Sequence, residues 1–155
     1  MIDTAPLAPI SGRFVGEEHH FPVRIYYEDT DLSGIVYHAN YLRYMERARS
    51  DMLRLAGIDQ RAGIEQGLGA YAVTELGIKY RAPARLDDDL IVTSTVENVR
   101  GASCVIHQVI RRGRTVLTEG RVTAALLDPQ GRPRRQPQQW IAAFEAIAAG
   151  NAVSP

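Results

Sequence analysis

The chain has one cysteine, Cys104, in 155 residues. A single thiol excludes an intramolecular disulfide framework and fits a reducing compartment. There is no charge excess either, since eighteen basic residues balance eighteen acidic ones. A general nucleic-acid binder needs a basic surplus to meet phosphates, so that class is not expected. No apolar run reaches about 18 residues, which argues against a transmembrane segment. The first residues lack the basic start and apolar block of a signal peptide, and a cytoplasmic protein is the expectation. His19, His20 and His107 lack the i, i+4 spacing of a helical metal pair, and no cysteine cluster accompanies them, so no metal is expected. The Gly-x-Ser-x-Gly elbow of the serine hydrolases is missing as well. Cys104 sits beside Val105 in a strand-like stretch, which favours packing over nucleophilic chemistry.

What is present is an ordinary core. The apolar share is 45% and the charged share 23%, as in a soluble domain. A chain of this length buries roughly 70% of its unfolded surface, and one domain is expected. Pro6, Pro9, Ser11, Gly12 and Gly16 mark residues 1–18 as a flexible arm. Residues 19–149 form the domain, and residues 150–155 a tail. A strand is expected from His20 to Tyr27. After His38, Tyr41, Met45, Ala48, Met52 and Leu55 recur at spacings of four, three, four and three, the stripe of an amphipathic helix. Leu42, Tyr44 and Leu53 widen that stripe, Arg49 falls among the polar positions, and Gly57 is a plausible stop.

Beyond a short helix or irregular link at 59–69, the period changes to two. Strands are expected near 72–81, 90–99, 103–111 and 115–127. The short links between them imply antiparallel pairing. Trp140 to Ala149 reads as a final helix. One early strand, one long helix with a wide apolar face and four antiparallel strands make an α+β domain with the sheet curled around the helix.

The densest chemistry lies in residues 26–54. Asp31 precedes a glycine turn at Gly34, and His38 follows seven residues later, where the long helix starts. A helix start offers unpaired N–H groups and the positive end of the dipole, which favour an anion. An oxyanion formed from an attacked ester or thioester carbonyl is one such charge.

These residues resemble a known family. Tyr26-Tyr27-Glu28-Asp29-Thr30-Asp31, Gly34-Ile35-Val36-Tyr37-His38-Ala39-Asn40-Tyr41 and Glu46-Arg47-Ala48-Arg49 are similar to the 4-hydroxybenzoyl-CoA thioesterase family. Within it they resemble the Tol–Pal system-associated acyl-CoA thioesterases. Tyr80 to Asp88 and Arg100-Gly101-Ala102-Ser103 also fit, so the likeness spans about residues 21–129. The resemblance implies a hotdog fold and hydrolysis of a short-chain or aromatic acyl-CoA, or of an acyl carrier protein thioester. It implies Asp31 as the catalytic carboxylate, His38 as its partner, and the N–H at His38 as the donor that polarises the carbonyl. It also implies a homodimer or homotetramer with sites at subunit interfaces, and no cofactor.

From the residues themselves, Asp31 near a helix start is expected to stay ionised and to attack the carbonyl or deprotonate water. Substrate contacts are expected from Tyr27, Asn40, Arg81, Arg100 and Ser103, the arginines meeting phosphate through their fork of donors. Tyr27 has strand packing as its alternative role, Asn40 a helix cap, and the remaining three solvated turns. Two other functions fit the same scaffold: a non-catalytic acyl-CoA sensor or interaction module, and a hydratase or dehydratase.

Overall fold

The computed structural model describes residue 2 and residues 4–152. Nine elements follow in chain order: β1 (Arg13–Val15), β2 (Glu18–Arg24), α1 (Asn40–Leu55), α2 (Gln60–Glu65), β3 (Ala70–Tyr80), β4 (Asp89–Val99), β5 (Ser103–Arg112), β6 (Thr115–Leu127) and α3 (Gln138–Ala148). The strands form one antiparallel sheet in the order β1-β2-β4-β5-β6-β3. Long α1 packs on one face of it, so the expected α+β architecture is what the chain adopts.

The helical stripe explains the packing. Tyr41, Met45, Ala48 and Met52 are almost fully buried, while Leu55 is only half-buried. Each buried side chain of this size contributes about 1.5–3 kcal/mol of transfer free energy. The first half of α1 meets Val23, Ile25, Leu90, Val92 and Ile110. Its second half joins Val96, Ile106 and Leu126, and α3 closes that end with Trp140, Phe144 and Ile147.

Gly57 ends α1 as the periodicity predicts. It has φ +82°, and its N–H donates to Arg54 O at 3.1 Å while Ile58 N–H donates to Leu53 O at 2.9 Å. This is a Schellman closure, and buried Leu53 and Ile58 supply its apolar contact.

Three boundaries differ from the expectation. Residues 13–15 and 18 lie in strands rather than in the arm, because β1 folds back on β2, pairing Arg13 with His20 and Val15 with Glu18. Ser11 Oγ and Gly12 N–H also reach the Asp51 carboxylate at 2.7 and 2.8 Å. The early strand stops at Arg24, since Tyr27–Asp29 wind into a 3-10 turn whose Asp29 carboxylate accepts from Tyr26 N–H at 2.8 Å. In the tail, Asn151 N–H donates to Ala146 O at 2.8 Å and Ala152 packs against the second core cluster. Met1, Asp3 and residues 153–155 lie outside the described residues.

Arg49 is the main surprise inside α1. Its place among the polar positions predicts a solvated side chain, yet it is only 9% exposed. Its guanidinium donates to Gln108 Oε1 at 2.8 Å and pairs with Glu46. Gln108 Nε2 in turn donates to Met45 O and Ser94 Oγ, both at 2.9 Å. A polar network therefore ties the middle of α1 to β4 and β5. Among the described residues no helix is long and apolar enough to cross a membrane.

Candidate active site

The loop from Thr30 to Val36 is a tight excursion closed by a bridge between its ends. Within it, Asp31-Leu32-Ser33-Gly34 is a four-residue turn. Gly34 N–H donates to Asp31 O at 3.0 Å, and Asp31 N–H donates to Ile35 O at 3.1 Å. Gly34 supplies the positive φ, +81°, that the chain needs to turn back. The Asp31 side chain folds onto the turn in an Asx arrangement. Ser33 N–H donates to its Oδ1 at 2.8 Å, and the Ser33 hydroxyl donates to the same oxygen.

The Ser33 hydroxyl, then the Ser33 N–H, hold the Asp31 carboxyl below the usual carboxylate range, and His38 adds a weaker electrostatic pull. The Ser33 hydrogen bonds of the turn are the largest cause of that depression. Asp31 is exposed in the single chain. It lies in an open depression with Tyr27, Thr30, Leu32, Gly34 and Leu86. Leu32, Tyr27 and Leu86 are large apolar side chains left exposed around a carboxylate.

His38 stands two residues ahead of α1, because the first helical residue is Asn40. Its ring packs between Tyr37, at 4.6 Å between centroids, and Tyr80, at 6.2 Å. The flanking backbone is held at several points. Val36 N–H donates to Ala84 O at 2.9 Å, Tyr37 N–H to Asp29 O at 3.0 Å and Asn40 N–H to Tyr37 O at 2.9 Å. Among the described residues the His38 N–H has no protein acceptor. A donor without an acceptor of its own is what the developing oxyanion of an attacked carbonyl requires.

The other expected site residues divide. Tyr27 is in the 3-10 turn, not in a strand, and lines the Asp31 depression. Asn40 does not cap the helix through its side chain. Its Nδ2 donates to Asp29 O at 2.9 Å, clamping the helix start to the preceding turn. Arg81 is close in sequence to the site-facing end of β3, but its guanidinium donates to Glu119 Oε2 at 2.9 Å. Glu119, held at about pKa 2 by hydrogen bonds from His107 and Arg81, points away from α1, since its neighbour Gly120 faces Met45. Arg100 and Ser103 lie at the opposite end of β4. At ~3.3 Å per residue that end is about 30 Å from the Asp31 end. There Arg100 N–H donates to Ser103 O at 2.8 Å and Gln136 Nε2 donates to Arg100 O at 2.9 Å. One chain does not bring these two residues to Asp31.

No metal-binding group of three or more His, Cys, Asp or Glu occurs among the described residues. His19, His20 and His107 are engaged by Asp51, Glu18 and Glu119. Burial pushes the Cys104 thiol up to about 12, which keeps it from acting as a thiolate.

Ser33 and Tyr80 are site residues that sequence reasoning missed. The Asp-x-Ser-Gly order is a readable type I turn signal, but Tyr80 reaches His38 across 42 positions and leaves no local trace.

Comparison with known proteins gives a consistent picture. A family model described as the thioesterase superfamily matches residues 33–119. An Escherichia coli protein named acyl-CoA thioester hydrolase YbgC is 40% identical over 127 residues, covering 81% of this chain and 94% of that one. A Haemophilus influenzae protein named acyl-CoA thioesterase YbgC is 41% identical over 128 residues, covering 82% and 94%. The crystal structure of a probable thioesterase from Bartonella henselae superposes with a TM-score of 0.72 at 35% identity, covering 77% of this chain and 99% of that one. With more than half its length inside that family model, and a sheet-around-helix scaffold shared with a solved relative, the chain belongs to the thioesterase superfamily.

Proposed function

We propose that this protein hydrolyses acyl-CoA thioesters, with Asp31 as the attacking carboxylate or general base and the His38 N–H as the carbonyl's donor. The observation that carries the reading is an ionised Asp31, pinned by Ser33, ahead of an N–H with no acceptor of its own. Two balanced routes fit. In one, Asp31 attacks the carbonyl carbon and the C–S bond breaks to expel the CoA thiolate. Water then cleaves the mixed anhydride, giving the free acid and restoring the Asp31 carboxylate, while the thiolate takes up the proton that the acid releases. In the other, Asp31 takes a proton from water, the hydroxide adds to the carbonyl, and collapse expels the CoA thiolate, which recovers the proton. In both, the His38 N–H meets the oxyanion, a contact worth about 3 kcal/mol in comparable sites. The His38 ring orients Asp31 or water. The test is thiol release from acetyl-, hexanoyl- and benzoyl-CoA and from an acyl carrier protein thioester. Turnover of at least one is expected, and inactivity on all of them refutes the reading.

The site is proposed to close in a homodimer. β3 pairs with β6 along one edge only, and its other edge is a row of open backbone groups, a surface that soluble proteins normally protect. Val73, Leu76 and Tyr80 on that strand are apolar and exposed. Antiparallel pairing of β3 with a second copy satisfies this edge with two-fold symmetry. It sets the Ala70 end of one strand beside the Tyr80 end of the other, and so moves the second copy's Arg100 and Ser103 toward Asp31. Sedimentation equilibrium is expected to give twice the 17.2 kDa chain mass. Leu76→Arg is expected to give a folded monomer with little activity. A fully active wild-type monomer would contradict the arrangement. The single buried cysteine supports a reducing compartment such as the cytoplasm.

A further inference from the structure

We propose that Tyr80 is a positioning residue for the reaction, fixing the His38 peptide through a hydrogen bond to its carbonyl. The inference rests on the thioesterase reading above and assigns a role to a side chain outside the Asp31–His38 segment.

His38 precedes α1, so intrahelical hydrogen bonds do not hold its backbone. The segments on either side of it are tied down by Ala84 and Asp29, as described. His38 itself is tied by one contact: the Tyr80 hydroxyl donates to its carbonyl oxygen at 2.8 Å. Among the described residues this is the one side-chain hydrogen bond to the backbone of residues 36–39. It restricts ψ of His38, and the free N–H and the imidazole both hang from the same Cα. Losing it leaves the turn closed by Asn40 N–H on Tyr37 O but removes the one hydrogen bond on the His38 carbonyl, loosening the peptide and with it the donor that meets the oxyanion.

Tyr80 is well placed to hold a position. It ends β3, and its ring stands edge-on to His38 at 84° and to Tyr41 at 5.6 Å and 69°. Tyr41 is buried, and its hydroxyl accepts from Ala84 N–H at 3.0 Å. The phenol is therefore braced against the rigid start of α1. Although Tyr80 is half-exposed in the single chain, partial desolvation raises its hydroxyl above the ordinary phenol value, in keeping with its donor role. The geometry matters because catalytic groups lose efficiency steeply when misplaced, roughly 100-fold for 1 Å.

The experiment compares Tyr80→Phe and Tyr80→Leu with wild type, using thiol release from acetyl-, hexanoyl- and benzoyl-CoA. Phenylalanine keeps the ring and its packing and removes only the hydroxyl. Tyr80→Phe is expected to lower kcat roughly 10- to 100-fold, with KM within about twofold and an unchanged thermal midpoint. Tyr80→Leu is expected to lose at least as much. A second readout reports the amide directly. In an Asp31→Asn background, the carbonyl stretch of bound benzoyl-CoA, or of whichever panel thioester wild type turns over best, is expected to move toward its free-solution frequency when Tyr80→Phe is added. Wild-type kcat in Tyr80→Phe overturns the inference, showing that the ring alone matters. So does a parallel change of KM and kcat with a lowered midpoint, which marks general packing. Inactive wild type on the whole panel is a different failure, since it removes the thioesterase reading and this inference with it.

Discussion

Asp31→Asn is expected to leave thiol release from the best acyl-CoA substrate at about one hundredth of the wild-type rate or below, in line with the loss of a positioned acid–base or nucleophilic group. The amide is nearly isosteric, and its oxygen still accepts from Ser33, so the turn keeps its shape. What disappears is the charge that attacks the carbonyl or takes the proton. Asp31 is exposed and contributes no core packing, so circular dichroism and the thermal midpoint should match wild type. The pH profile carries the same assignment. Ser33 holds the Asp31 carboxyl below the usual carboxylate range. The ionised form is therefore complete at neutral pH, and the Asp31 limb of kcat/KM appears only as the pH falls below the ordinary carboxylate range. Raising the pH leaves this group unchanged. Ser33→Ala removes the largest cause of the depression and should shift that limb upward. Near-wild-type turnover by Asp31→Asn, or a limb that ignores Ser33, removes Asp31 from the chemistry.

Gln108→Leu is expected to destabilise the fold strongly. Gln108 is fully buried and makes three hydrogen bonds, accepting from Arg49 and donating to Met45 O and Ser94 Oγ. Leucine fills the space but leaves the buried Arg49 guanidinium with Glu46 as its remaining side-chain partner and takes the Gln108 donor from Met45 O and Ser94 Oγ. Leaving one buried hydrogen-bonding group unsatisfied costs about 1–3 kcal/mol, and a buried charge more. A loss of about 3–4 kcal/mol is expected, or about 6–16 °C in thermal midpoint for a chain of this length. The double variant Arg49→Met/Gln108→Leu removes the buried guanidinium that has lost its Gln108 acceptor and should recover part of that loss. Additive losses would show that the two residues do not act together. Calorimetry of the two single variants and the double decides it.

The legible part of this protein was local. A period of four and three along residues 41–52 dictated α1, because only one face of a helix can meet a sheet. A period of two dictated β3 to β6, and β6 spans Thr115–Leu127 as its pattern predicts. Gly57 and Gly34 mark real chain reversals. The Asp31–His38 spacing was readable because the turn, the free N–H and the helix start lie within ten residues of one another.

The sequence by itself therefore determined the elements, the fold class and the segment that presents Asp31 and His38 together, since each depends on near neighbours along the chain. Only the tertiary structure decided that Arg49 is buried on Gln108, that Tyr80 holds His38, and that Arg100 and Ser103 sit at the far end from Asp31. Those outcomes depend on which strands become neighbours and in what register. β3 pairs with β6 and not with β4, the strand that follows it, and no local periodicity encodes that choice. It follows from burying α1 and the sheet face together, a free energy summed over the whole core.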